Sequence, residues 1–116
     1  MRISDRGLRT RVLQAMGDLE CTELLHAIRS DPKTAQILAG ETGIPLSSVY
    51  RKLAMLRGAG LAITSYFRLT NEGKREDFLI SGVTEVRIEI SGGDIEVDLV
   101  PTGQNATRIW LELFKG

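Results

Sequence analysis

The chain has 116 residues, of which 42% are hydrophobic, so it is long and apolar enough for one compact domain and is not expected to be disordered. The sequence predicts no transmembrane helix, because it contains no apolar run of about 18 residues, and no signal peptide, because its first residues are polar. The single cysteine, Cys21, excludes an internal disulfide framework and favours the cytoplasm.

The charges are unevenly distributed, although 15 basic and 15 acidic residues cancel. Six basic residues and one acid between Thr42 and Arg75 give that segment a net charge of +5. From Glu76 to the end, three basic residues and eight acids give −5. This asymmetry favours a protein in which one surface meets a polyanion while another faces away from it. Scattered solvated charges would give the same totals.

Two amphipathic helices are predicted at the start of the chain. Apolar residues recur at steps of three and four in the first one, at Leu8, Val12, Leu13, Met16 and Leu19. We expect Gly17 to end this helix and Asp18 to cap the second, because its carboxylate can accept a free backbone N–H. The second helix is predicted to end near Ser30-Asp31-Pro32, and its apolar stripe consists of Cys21, Leu24, Leu25 and Ile28.

A short third helix and a longer fourth helix follow. Thr34 can cap the third helix, whose Ile37 and Leu38 are predicted to face inward. Gly43 is predicted to be the left-handed residue of a tight turn, and Ile44-Pro45 is predicted to be extended. The fourth helix begins around Leu46 and is ended by Gly58 and Gly60. Its predicted buried stripe is Leu46, Val49, Leu53 and Leu56.

The second half of the chain alternates between apolar and polar residues, which predicts strands. A first hairpin has its tip at Asn71-Glu72-Gly73 and returns through Phe78 to Ile80; one side of its outgoing strand carries Leu61, Ile63, Phe67 and Leu69. A second hairpin turns at Ser91-Gly92-Gly93-Asp94, between a strand with Val86, Ile88 and Ile90 and a strand with Ile95, Val97 and Leu99. Pro101-Thr102-Gly103 breaks the pattern, and a last strand is predicted near Ala106 to Phe114.

The stretch from Thr34 to Leu61 (TAQILAGETGIPLSSVYRKLAMLRGAGL) carries several spaced constraints at once. Ala39 is expected to pack under the turn that contains Gly43. The segment ends with Leu56-Arg57-Gly58-Ala59-Gly60-Leu61. Together with Ile44, Val49 and Leu53 as a core between two helices, these residues resemble the winged helix-turn-helix DNA-binding domains of the ArsR-like kind. The resemblance covers roughly Leu8 to Ile80.

This resemblance implies an α+β fold in which residues 1–81 form a winged helix-turn-helix domain and residues 82–116 a C-terminal antiparallel β extension. The helix at about 46–57 would be the recognition helix, and the first hairpin would be the wing. With the apolar stripe inward, Ser47, Ser48, Arg51 and Met55 are predicted to point outward, with Lys52 at the flank. Hydroxyl and guanidinium groups suit phosphates and base edges, although an ordinary solvated helix face would have the same composition.

Further candidate DNA-binding residues lie around this helix. Tyr50 could bond a phosphate through its hydroxyl or pack against the wing. Thr34 could present a helix N-terminus to a phosphate in addition to capping it. Lys74 and Arg75 follow the hairpin tip, where a wing would touch the DNA backbone or where basic residues would serve only for solubility. A role for Arg68 depends on the side of the hairpin that it takes.

No metal site, cofactor motif or catalytic arrangement is predicted. ArsR-type metal sensors usually carry cysteine pairs or His/Asp clusters, whereas this chain has one cysteine and one histidine. Cys21 and His26 are five residues apart and fall on different helix faces, so Cys21 is expected in the core and His26 on the surface. Ser47 and Ser48 have no neighbour that marks an activated nucleophile. We therefore expect no enzymatic activity.

The last predicted strand has two apolar faces, and each face is expected to be buried against another part of the protein or a partner. Trp110 and Phe114 lie on one of them and are predicted either to bury against another subunit or partner protein, or to pack on the chain's own first helices.

The sequence therefore predicts a DNA-binding transcriptional regulator. A homodimer is expected, because one recognition helix reads few bases. The alternative is a winged-helix module for protein–protein interaction in a larger assembly, such as transcription machinery. Binding to DNA through phosphates would weaken steeply with salt, whereas an apolar protein interface would change little.

Overall fold

The computed structural model describes residues 1–103, which form four helices followed by four strands in an α+β arrangement. The elements are α1 (Arg6–Met16), α2 (Leu19–Ala27), α3 (Ala35–Thr42), α4 (Leu46–Gly58), β1 (Ala62–Leu69), β2 (Arg75–Ser81), β3 (Val83–Ser91) and β4 (Asp94–Pro101). No helix within this part of the chain has the length and apolar character needed to cross a membrane.

Side chains cap the first three helices. The carboxylate of Asp5 accepts from the backbone N–H of Leu8 at 2.7 Å, and that of Asp18 accepts from the N–H of Cys21 at 3.0 Å. Each cap satisfies a backbone donor that the helix itself leaves unpaired. Gly17 ends α1 as predicted, and Gly43 follows α3 with a φ of 76°, the left-handed conformation that glycine adopts without steric cost.

The predicted first hairpin is formed by β1 and β2, which pair in antiparallel fashion around a tip at residues 70–74. The backbone N–H of Thr70 donates to the carbonyl of Lys74 at 2.8 Å and closes the tip. A third segment joins this sheet through Lys33, whose N–H and C=O both bond Leu79 on β2, at 3.0 and 2.9 Å. Because Lys33 immediately precedes the N-cap of α3, this pairing fixes the start of α3 against the hairpin.

One side of β1 differs from the prediction. Ile63 is buried, but Phe67 and Leu69 are 52% and 65% exposed instead of lying on the same covered side. The pairing register shifts between Thr64 and Tyr66, and such an irregularity interrupts the period-2 alternation. Beyond it, Tyr66 stacks on Phe78 with ring centroids 4.5 Å apart.

The predicted second hairpin is formed by β3 and β4, with Gly92 and Gly93 both at positive φ in its two-residue turn. The free side of β4 is covered by the start of the chain. The N–H of Ile3 donates to the carbonyl of Val97 at 2.8 Å, and the N–H of Leu99 donates to that of Met1 at 2.8 Å. The first residues of the chain therefore extend this sheet by a short antiparallel segment.

Both hairpins share one hydrophobic core with the helices. Val97 and Leu99 from β4 are fully buried in the same cluster as Val12 from α1, Leu24 from α2 and Leu56 from α4. The predicted boundary after residue 81 thus falls between two hairpins that are covered by a common core. The last predicted strand, near 106–114, lies outside the described residues, and so do Trp110 and Phe114.

Two residues predicted to face inward are half exposed. Ile37 is 41% exposed, because α3 buries Leu38 and Ala35, and Ile37 lies about 100° around the helix from its neighbour Leu38. Leu46 is 40% exposed, because it stands at the first position of α4, before Val49 begins the buried stripe.

Candidate nucleic-acid interface

The candidate interface is built on α3 and α4, which are joined by a turn at residues 43–45. Gly43 reverses the chain, and Pro45 precedes α4 with a ψ of 142°. Because proline has no polar side-chain atom, α4 starts without a side-chain cap. Leu38 from α3, Ile44 from the turn and Val49 from α4 are buried in the core. This packing fixes one side of α4 and leaves its opposite side outside the core.

The outer side of α4 carries Ser47, Tyr50, Arg51 and Ala54, all of which are exposed. The helix contains no acidic residue. Arg51 makes no ion pair and no side-chain hydrogen bond with any residue in the range 1–103, so its guanidinium projects unpaired from this surface. Ala54 has a short side chain and would let a ligand approach the helix closely.

Two of the predicted outward residues, Ser48 and Met55, are only partly exposed, and Met55 packs against the core. The buried stripe consists of Val49, Leu53 and Leu56, without Leu46. The spacing of Ser47, Arg51 and Ala54 at steps of four and three, opposite this stripe, is the signal that could have identified Ala54 from the sequence.

Lys52 does not belong to this surface, which corrects its predicted place at the flank of a DNA-facing helix. Its ammonium donates to the carboxylate of Asp18 at the start of α2, and its side chain is 16% exposed. The hydrogen bond from Lys52 is the main cause that lowers the pKa of Asp18, and the same bond raises the pKa of Lys52. Lys52 therefore ties α4 to α2.

Thr34 acts as the predicted cap. Its hydroxyl accepts from the N–H of Ile37 at 3.2 Å, and the residue is 1% exposed. The hydroxyl is thus buried and is not presented to a ligand.

Tyr50 lies at the mouth of a cleft between α3, α4 and β2. Its hydroxyl accepts from the side-chain amide of Gln36 at 3.1 Å, and the residue is 52% exposed. The cleft has a volume of about 290 Å³ and is lined by Ala35, Gln36, Tyr50, Leu53, Ala54, Arg57, Arg75, Glu76, Asp77 and Leu79. Tyr50 therefore belongs both to the outer surface of α4 and to the lining of this cleft.

The basic residues of the β1–β2 hairpin differ in whether an acidic side chain already pairs with them. Lys74 is exposed at the tip, and its ammonium makes no ion pair within the described part of the chain. Arg75 bonds the carboxylate of Asp77 at 2.6 Å and lies 4.1 Å from the centre of the Phe67 ring. Arg68 bonds Glu76 at 2.9 Å. Of the predicted wing residues, Lys74 is free to meet an anion and Arg75 is already paired.

Asp77 is a residue that the sequence analysis missed. Its carboxylate accepts from Arg75 on one oxygen and from Arg57 of α4 on the other, at 3.3 Å, so it connects the hairpin to the end of α4. The hydrogen bond from Arg75, followed by that from Arg57, lowers the pKa of Asp77. Nothing local in the sequence indicates this, because Arg57 and Asp77 are 20 residues apart.

Cys21 and His26 both lie on α2, but their environments differ. Cys21 is fully buried, and burial raises the pKa of its thiol to about 11. His26 is exposed, and its Nε2 lies 2.7 Å from a guanidinium nitrogen of Arg29. In the range 1–103, no three or more His, Cys, Asp or Glu side chains come together in a way that could hold a metal ion.

Comparison of the chain with protein-family models, with curated proteins and with solved structures finds no match. The resemblance of residues 34–61 to ArsR-like domains therefore stays a prediction.

Proposed function

We propose that the protein is a winged-helix transcriptional regulator that binds double-stranded DNA. The order of elements supports this proposal: two helices, a single paired strand residue at Lys33, a short helix, a tight turn, a longer helix and a hairpin. In this arrangement α4 is the recognition helix and the β1–β2 hairpin is the wing.

The observation that carries the proposal is the outer surface of α4. Arg51 lies there next to Ser47 and Ala54, on a helix that has no acidic residue, and it has no acidic partner within residues 1–103. A guanidinium held in this way can donate two hydrogen bonds to a guanine edge or to a phosphate. Lys74 at the hairpin tip offers a second positive charge, which suits a phosphate of the flanking DNA backbone.

We propose a cytoplasmic homodimer, because one recognition helix reads too few bases for useful specificity. The protein itself needs no cofactor for this activity, and its contact residues are Ser47, Tyr50, Arg51 and Lys74.

The proposal is tested by titrating the protein with a pool of genomic duplex fragments at low and moderate salt. We expect affinity to fall as salt rises, and Arg51→Ala to reduce affinity by roughly tenfold, in line with the loss of one bidentate contact. The matched control is Arg29→Ala, which removes an exposed arginine that follows α2 and belongs neither to the outer surface of α4 nor to the β1–β2 hairpin. Equal losses in both variants, or no binding at low salt by folded protein, would refute the proposal.

A second function, binding of a protein partner within a larger assembly, is favoured by one observation. Asp77 and Glu76 neutralise Arg57, Arg75 and Arg68, so most basic side chains between α4 and the hairpin are already paired. Binding to such a partner would change little with salt and would survive Arg51→Ala.

A further inference from the structure

The strand β3 has an open edge. It is nine residues long and pairs with β4 on one side, and within residues 1–103 no strand pairs with its other side. Every second residue of an edge strand points its N–H and C=O away from its neighbour, so the open side offers unsatisfied backbone donors and acceptors. A long edge of this kind is able to add another strand.

The two faces of β3 are different in character. Val86, Ile88 and Ile90 lie on one face, where they pair across the hairpin with Leu99, Val97 and Ile95. This apolar face is buried near its base, but Ile88 is 45% exposed and Ile90 is 83% exposed. The exposure of these side chains rises along β3 toward the turn, from Val86, which is partly buried, to Ile90.

The opposite face of β3 carries Glu85, Arg87 and Glu89, an alternation of acid, base and acid. Arg87 bonds the carboxylate of Glu85 on its own strand at 2.7 Å, and all three side chains are exposed. Opposite charges placed directly across two strands stabilise their pairing, and like charges destabilise it.

We propose that two copies of the chain pair through β3, antiparallel and with Ile88 of one copy opposite Ile88 of the other. In this register, Arg87 of each copy lies opposite Glu89 of the second copy, so two ion pairs form by symmetry. On the apolar face, Val86 meets Ile90 of the second copy, which extends the apolar strip across both hairpins.

The neighbouring registers are worse matched. A pairing centred on Arg87 places Arg87 opposite itself and Glu85 opposite Glu89. A pairing centred on Glu89 places two glutamates opposite each other. A pairing centred on Val86 runs into the register shift between Val83 and Glu85, where the strand is irregular. Only the register centred on Ile88 joins opposite charges along a regular strand.

The charge pattern allows a decisive experiment, which does not depend on DNA binding. Sedimentation of the purified full chain at micromolar concentrations is expected to give a dimer. Arg87→Glu places Glu opposite Glu89 in both halves of the interface, so we expect the dissociation constant to rise about tenfold or more. The double variant R87E/E89R restores opposite charges across the interface and is expected to return within about threefold of the original dissociation constant. Arg29→Glu, an equal change of charge at an exposed position just after α2, is the control that should leave the dimer intact.

A second measurement locates the axis. In a Cys21→Ser background, Ile88→Cys is expected to be joined efficiently by a short bifunctional thiol reagent, whereas Thr10→Cys on α1 is not. Circular dichroism verifies that each variant is folded. A monomeric wild-type protein, a dimer unaffected by Arg87→Glu, or failure of the double variant to recover would overturn the proposal. Loss of the dimer in Trp110→Ala, with Arg87→Glu still dimeric, would place the interface in the C-terminal residues instead.

Discussion

The ammonium of Lys52 donates a hydrogen bond to the carboxylate of Asp18 and thereby fastens the middle of α4 to the first turn of α2. Asp18 also caps α2 through the N–H of Cys21, so one carboxylate serves both the helix end and the contact between helices. Adjacent on α4, Arg51 has no such partner within residues 1–103. Consecutive basic residues thus have different roles: one orients the helix, and the other is available for a ligand.

This difference predicts opposite effects for two substitutions. Lys52→Met keeps most of the aliphatic stem and removes the ammonium, so we expect a lower melting temperature and little change in the DNA affinity of the folded protein. Arg51→Ala should lower DNA affinity and leave the melting temperature nearly unchanged. Thermal unfolding and duplex titration of both variants measure this. A reduced affinity with unchanged stability in Lys52→Met would contradict the assignment.

The Asp18 contact also predicts a dependence on acid. The pKa of Asp18 is lowered in the folded protein, chiefly by the hydrogen bond from Lys52. The ionised carboxylate therefore stabilises the folded protein above about pH 4, and this stabilisation is lost as the pH falls through the folded-state pKa. Asp18→Asn retains the cap but not the charge. We expect the difference in melting temperature between this variant and the wild type to be large at neutral pH and to shrink in acid.

The control for this titration is Asp31→Asn. Asp31 is exposed and forms no ion pair in the described range, so its substitution should change the melting temperature little at any pH. A difference for Asp18→Asn that stays constant down to strongly acidic pH would show that its charge does not matter.

Asp77 holds Arg57 and Arg75 at the border of the proposed DNA surface. Asp77→Asn removes one negative charge and weakens the hold on both guanidinium groups, so we expect higher affinity for duplex DNA and a steeper salt dependence, by about one unit or more in slope. Asp98→Asn on β4, where the carboxylate faces Arg2, is the matched control. Unchanged affinity in Asp77→Asn would mean that Arg57 and Arg75 do not face the DNA.

Alanine substitutions at Gly43 and Gly40 are expected to have opposite effects on the stability of the protein. Gly43 has a φ of 76°, so Gly43→Ala should destabilise the protein by about 1 kcal/mol through backbone strain alone, since a Cβ there would meet no atom of residues 1–103 within 4 Å. Gly40 lies inside α3 with equally open space, so Gly40→Ala should stabilise it by about 0.5–1 kcal/mol. Chemical denaturation measures both, and a loss of stability in Gly40→Ala would refute this reasoning.

The buried thiol of Cys21 is expected to be inert. With its pKa raised to about 11, only about one thiol in a thousand is ionised at pH 8, and burial blocks access as well. Modification by a thiol reagent should therefore be about a hundredfold slower in the folded protein than in denaturant. Rapid modification of the folded chain would show that α2 opens readily.

Features that depend on neighbours within a few residues could be predicted from the amino-acid sequence. Asp18 and Thr34 cap helices because their side chains reach an N–H three residues later, and Gly43 turns the chain because only glycine adopts positive φ freely. The turn at Gly92 and Gly93, and the alternation on either side of it, likewise follow from local rules. The α+β order of helices and hairpins could therefore be predicted.

Which charged side chains are paired depends on contacts between distant parts of the chain. The period of α4 predicts Arg51 on the outer side and Lys52 at the flank, but it does not predict that Lys52 is paired, and only the approach of Asp18, 34 residues earlier, removes Lys52 from the surface. In the same way Asp77 captures two arginines that sequence spacing leaves unassigned. The period of a helix or strand gives the side on which a residue lies, but its exposure and its charge partner depend on elements that reach it from distant parts of the chain, which periodicity does not encode.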